Sequence, residues 1–312
     1  MKKLCILLAV IMLGIALVGC STEDATTTTA NQGGSQNTGT QNKNINTVAK
    51  MTELDSVYSV TLNTEYTSDD FLVYDLILLS DGLKLRAEMV LPRDYQLKNY
   101  TTVMYFPEIG RYYEYLIDGF GRSGYIVIRL SARGLEGSEG VRDVCGKDYA
   151  DAEMLLKICQ SCDFLSRGGI VAAGSGEGSV KALKLASEHS DEIKGCAVID
   201  VISDYESLIE VRGEGIKQLM ETLIGGSITE MPEEYRKRSA VYFADKIDTP
   251  MLILAYKDHP LCPEEQGTML RDAINNAGGT CTYISIDQIS SDFYNEYAFS
   301  HLVQWMAALP ND

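Results

Sequence analysis

Between Ile170 and Ala186 the sequence holds a four-residue apolar run, Ile170 to Ala173, then glycines at 174, 176 and 178. Val180, Leu183 and Leu185 follow at the spacing of one helical face. A run that brief fits a fully buried strand better than a helix. Strand, glycine-dense turn and helix together have the local form of a nucleophile elbow, G-x-S-x-G. There the chain turns so sharply that the residues two before and two after the nucleophile must be small. In that register the stretch reads Gly174-Ser175-Gly176-Glu177-Gly178, so the nucleophile position is Gly176. Ser175, one residue early, is the alternative nucleophile; its side chain should leave the turn in another direction, and neither it nor Ser179 has an evident base. A serine hydroxyl without a base is a poor nucleophile.

Serine chemistry also needs a histidine to take the proton and a carboxylate to orient it. Asp258, just past the apolar run Met251–Ala255, is the candidate acid. The chain has three histidines, His189, His259 and His301. His259 directly follows Asp258 and is the alternative base, although neighbouring side chains on an extended loop point apart. His189 and His301 read as ordinary helix residues.

Glu108-Ile109-Gly110-Arg111-Tyr112-Tyr113 follows another apolar run, Thr102–Phe106. Glu108, Arg111 and Tyr112, with Glu177, are the candidate lining of a ligand pocket. The glycines admit a second reading, because Gly174-x-Gly176-x-x-Ser179 imitates a dinucleotide fingerprint and Asp200 stands where a ribose-binding acid would. Against it, the third glycine is replaced, and the motif falls on a late strand. No cofactor or metal is implied: Cys159-Gln160-Ser161-Cys162 has C-x-x-C spacing, but no matching Cys/His pair completes a zinc site. Cys145, Cys159, Cys162, Cys196, Cys262 and Cys281 read as buried free thiols, with a disulfide pairing left open.

The 312 residues are 45% hydrophobic and 23% charged, ordinary for a globular protein with a sizeable core. Lys2 and Lys3 precede the apolar run Leu4–Val18, which ends in Leu17-Val18-Gly19-Cys20. This resembles the lipobox of bacterial lipoproteins and implies cleavage before Cys20, lipidation of Cys20, and a protein held to the outside of a membrane. Losing the two lysines takes the formal charge of −17 to −19. Such an acidic surface repels phosphate backbones and argues against nucleic acid as a partner. Residues 20–50 are rich in Thr, Asn, Gln, Gly and Ser and read as the lipidated cysteine and a disordered tether. Residues 51–312 read as one domain.

Within it, Tyr58–Tyr66, Phe71–Leu79 and Leu83–Leu91 are expected strands, the last two joined by an Asp81-Gly82 turn. Strands and helices then alternate. The strands are Thr102–Phe106, Tyr125–Leu130, the elbow strand, Cys196–Ile199, Met251–Ala255 and Thr280–Ile286. The helices are Tyr112–Phe120, Tyr149–Leu165, the elbow helix, Glu264–Asn276 and Asn295–Leu309. This predicts a doubly wound, mostly parallel α/β sheet with an antiparallel N-terminal opening and a lid-like insertion over about 203–247.

Several pieces in order resemble the catalytic domain of the prolyl oligopeptidase family, within the α/β-hydrolase fold. They are Ser80-Asp81-Gly82-Leu83-Lys84-Leu85, Ala132-Arg133-Gly134-Leu135-Glu136-Gly137-Ser138-Glu139-Gly140, the elbow, Ile224-Gly225-Gly226 with Met231-Pro232-Glu233-Glu234-Tyr235, Thr249-Pro250-Met251-Leu252-Ile253, and Lys257-Asp258 with Pro263-Glu264-Glu265-Gln266. The resemblance implies a serine peptidase or esterase site with Asp258 as the acid and oxyanion donors in the loop holding Glu108. It implies a histidine after the last strand, where this chain has none; by spacing to Phe293 its place falls on Ser291. The expected function is therefore non-catalytic: holding a peptide or other small-molecule ligand, or a protein partner, in the former cleft. The alternative is a hydrolase with a displaced nucleophile or base, and a dinucleotide binder is a third reading.

Overall fold

The computed structural model describes residues 45–108, 114–287 and 293–310. Nine strands among them form one sheet: β1 (Val57–Leu62), β2 (Phe71–Ser80), β3 (Leu83–Pro92), β4 (Thr102–Phe106), β5 (Ile126–Leu130), β6 (Ile170–Ser175), β7 (Gly195–Ile199), β8 (Met251–Tyr256) and β9 (Cys281–Ile286). Their spatial order is β1-β2-β3-β5-β4-β6-β7-β8-β9. β1, β2, β3 and β5 pair antiparallel, and every pair from β5 through β9 is parallel. The β2–β3 hairpin closes between Ser80 and Leu83 with both turn residues at positive φ, Asp81 at 51° and Gly82 at 78°. That is the turn an Asp-Gly pair favours, because its twist matches that of the strands.

The helices are α1 (Glu114–Ser123), α2 (Ala150–Ser161), α3 (Asp163–Ser166), α4 (Ser179–Glu188), α5 (Tyr205–Arg212), α6 (Glu214–Ile224), α7 (Pro232–Arg236), α8 (Glu264–Asn276) and α9 (Phe293–Ala307). Central strands are buried along their whole length, as helices on both faces require. Alternate residues feed two cores. Val103, Tyr105, Val171 and Ala173 pack on one face with Phe120, Ala298, Leu302 and Met306. Met104, Phe106, Ile170 and Ala172 join the larger core on the other face with Leu155, Ile158, Leu183 and Leu270.

The structure corrects four expectations. β1 stops at Leu62, where Asn63 accepts the N–H groups of Glu65 and Tyr66 and turns the chain. The helix expected over Tyr149–Leu165 is broken at Cys162, whose extended backbone (φ −108°, ψ 111°) forms a parallel bridge with Ile45. Both halves keep facing one core, which is why the sequence period runs through the break. Ile45, Val48 and Met51 are buried, so the packed chain begins before residue 51. Finally, the start of the helix expected at Tyr112 lies outside the described residues, and the helix reaches Ser123.

Candidate functional site

β6 delivers the chain to the elbow, Gly176 turns it with φ +51°, and a single 3-10 turn, Gly176–Gly178, leads into α4. Small flanking residues are a steric requirement. A Cβ on Gly178 would stand 2.2 Å from the Phe106 carbonyl oxygen, and one on Gly174 would stand 2.6 Å from the Gly178 oxygen. These approaches follow from the parallel pairing of β4 with β6, which sets Phe106 beside Gly174.

What occupies the nucleophile's space is Glu108, just beyond β4. A Cβ built on Gly176 would lie 2.8 Å from Glu108 Cγ and 3.2 Å from both its Cβ and Cδ. The Glu108 side chain is 6% exposed. Ser175, the alternative nucleophile, is 2% exposed, accepts the Glu108 N–H at 2.8 Å and shares a 3.0 Å hydrogen bond with the Tyr105 hydroxyl. Ser175 thus ties the end of β4 to the elbow. Tyr105 gives no signal in the sequence, where it reads only as one apolar position of a buried strand.

His259 is in the site, in an arrangement unlike a base. Its Nδ1 accepts the N–H groups of Cys262 at 2.8 Å and Leu261 at 3.3 Å, which places the ring hydrogen on Nε2. Nε2 lies 3.7 Å from Glu108 Oε2 and 3.9 Å from Asp200 Oδ2. The ring therefore presents a donor to two carboxylates and keeps its lone pair in a backbone turn. Taking a second proton would break that turn. Asp258 is exposed while His259 is buried, so the neighbours diverge as an extended loop predicts.

Asp200, read from sequence against a ribose, is 2% exposed, and its Oδ1 accepts the Tyr256 N–H at 2.8 Å. Glu177 follows the nucleophile position and is 3.5 Å from Arg142 Nε; burial raises its carboxyl pKa against the opposing pull of Arg142. The insertion at 203–247 folds as α5, α6 and α7. It grips the loop after β8 through Arg212, which donates to the carbonyls of His259 at 2.9 Å and Leu261 at 3.1 Å. Arg111, Tyr112, Ser291 and Cys20 lie outside the described residues. Among the described residues no three His, Cys, Asp or Glu groups are arranged to hold a metal ion. Among the described residues the six cysteines from Cys145 onward form no disulfide, and five of them are buried.

No protein-family model matches the chain. It is 25% identical over 190 residues to the Bacillus subtilis (strain 168) protein described as "Uncharacterized peptidase YtmA", covering 58% of this chain and 71% of that one. Among solved structures it is similar to an acylaminoacyl peptidase in complex with Z-Gly-Gly-Phe-chloromethyl ketone. The TM-score is 0.62 at 14% identity, over 82% of this chain, and the match spans half the length of that peptidase. It is also similar to acetyl xylan esterase from Paenibacillus sp. R4, with a TM-score of 0.61 at 15% identity, over 82% of this chain and 91% of that one. Sheet order, the sharp turn after β6 and these neighbours agree, and the chain has the α/β-hydrolase fold.

Proposed function

We propose that this protein is a non-catalytic α/β-hydrolase-fold lipoprotein that binds a small-molecule or peptide ligand, or a protein partner, at the cleft of a former serine hydrolase site. The observation that carries this reading is Glu108 lying across the space above Gly176. The nucleophile is missing and its volume is filled by a side chain of the same protein. The histidine that lies nearby supports the reading too, since its free lone pair is spent on the backbone of its own loop. Removing the nucleophile from a triad costs on the order of a million-fold in kcat, roughly 8 kcal/mol.

A fluorophosphonate serine probe and short acyl esters test the reading on the purified protein. The expected outcome is no labelling and no turnover above a heat-killed control. Labelling that disappears in Ser175→Ala would overturn it and restore the alternative of a hydrolase with a displaced nucleophile.

The membrane part rests on Leu17-Val18-Gly19-Cys20 after a short apolar run. No helix among the described residues is long and apolar enough to cross a membrane. A lipid on Cys20 would hold the domain at the extracytoplasmic face. Mass spectrometry should find an acyl group on Cys20, and Cys20→Ala should leave the protein out of the detergent phase. An unmodified Cys20 with unchanged partitioning would remove the anchor.

A further inference from the structure

A pocket of about 360 Å³ opens at the opposite end of the sheet from the elbow. Its walls come from the start of β2, the end of β3, the 93–100 loop and the C-terminal end of α1. Phe71 pairs with Pro92, and β3 runs antiparallel to β5, so this end holds the N-termini of the parallel strands. Gly176 stands at their C-termini.

The chemistry of the walls is mixed but balanced. Arg122 meets Asp70 at 3.0 Å, and Lys98 meets Asp94 at 2.7 Å. Asp94 also accepts the Tyr100 hydroxyl at 2.5 Å, and its carboxyl is held below the usual range by Lys98 first and Tyr100 second. Arg93 turns aside and donates to the Ser68 carbonyl at 2.6 and 2.9 Å. Pro92 and the Tyr100 ring supply flat apolar surface. Gly124, at φ +75°, ends α1, and a Cβ there would reach to 3.6 Å from Tyr100 Cε1. At this end the Phe120 carbonyl accepts the Tyr125 N–H at 3.4 Å, and the carbonyls that follow it in the last turn of α1 have no further helical N–H to bond.

We infer that this pocket binds a neutral polyhydroxylated ligand of monosaccharide size. Among the described residues, the wall carboxylates Asp70 and Asp94 each face a cation, so an ionic ligand meets no excess charge from them. A free anion would also meet the negative end of α1. A polyol is different: its hydroxyls can both donate to carboxylates and carbonyls and accept from Arg122. Its C–H face can lie on the electron-rich face of Tyr100. The volume is within the range of about 300–1,000 Å³ of small-molecule sites.

The probes are D-glucose, D-xylose and N-acetylglucosamine, with L-arginine and inorganic phosphate as charged comparators, each titrated into the purified full chain. Saturation-transfer NMR and calorimetry should detect at least one sugar with a dissociation constant of about 1 mM. Tyr100→Ala should weaken it about tenfold or more, equivalent to about 1.4 kcal/mol, whereas Asp258→Asn should leave it unchanged. Arg122→Ala, at an exposed position, is the second variant should Tyr100→Ala not fold, and it too should weaken binding. No sugar signal, tighter binding of arginine or phosphate, or sugar binding that survives both variants would each overturn the assignment. All of these readouts are independent of the cleft at Gly176.

Discussion

Glu108 Cγ lies 2.8 Å from the point where a Cβ on Gly176 would stand, so the loop after β4 and the elbow after β6 exclude each other's side chains. At φ +51° any residue other than glycine at 176 is also strained. Gly176→Ala is therefore expected to destabilise by about 1–3 kcal/mol from the backbone alone, and by more while Glu108 is present. In a Glu108→Ala background the cost should shrink. Urea unfolding of the four proteins in a double-mutant cycle reads this coupling; additive costs would mean that Glu108 yields freely.

The same relationship governs any attempt to rebuild catalysis. Gly176→Ser with Ser291→His places a nucleophile and a base at the positions the sequence register assigns, beside the resident Asp258. With Glu108 in place the new hydroxyl has no room. Fluorophosphonate labelling and ester hydrolysis are expected only when Glu108→Ala is added. Members of such a relay act as a unit, so the single variants should stay inactive. Labelling of the triple variant at the level of Gly176→Ser alone would remove Ser291 from the site.

Glu177 should leave a signature in the pH dependence of stability. Burial raises its pKa in the folded protein, with Arg142 opposing and Asp148, Lys181 and Asp143 also acting on it. Between the unfolded value of about 4.3 and the raised folded value, the folded state binds more protons. Its contribution to stability therefore falls as pH rises through that window. Glu177→Gln should gain melting temperature relative to wild type as pH rises above the unfolded value of about 4.3. A constant difference would place the titration elsewhere.

Behind the elbow, Lys181 on α4 meets Asp148 at 3.2 Å with both side chains under 10% exposed. Lys181→Met strands a buried carboxylate and should cost about 3–5 kcal/mol. Adding Asp148→Leu should recover much of the loss, because an apolar pair needs no desolvation of charge. Chemical denaturation measures both, and an equal loss in the double variant would show that packing, not charge, is the cause.

The order of strands and helices was written in local pattern. Short apolar runs of the β4 type, an Asp-Gly turn between β2 and β3, and a glycine-dense turn before α4 each follow from near-neighbour sterics and periodicity. So did the substitution of glycine for the nucleophile, since Gly174 and Gly178 set the register on either side of Gly176. The break at Cys162 was not legible, because it depends on Ile45, more than a hundred residues earlier, inserting a parallel bridge. Nor was the filling of the nucleophile's space. Glu108, Asp200 and His259 are distant in sequence and read separately as a pocket wall, a ribose ligand and a stray base. Only the pairing of β4, β6, β7 and β8 brings the ends of those strands together. Which nitrogen of His259 keeps its lone pair was decided by the backbone of Leu261 and Cys262, a choice made by loop geometry that no residue type encodes.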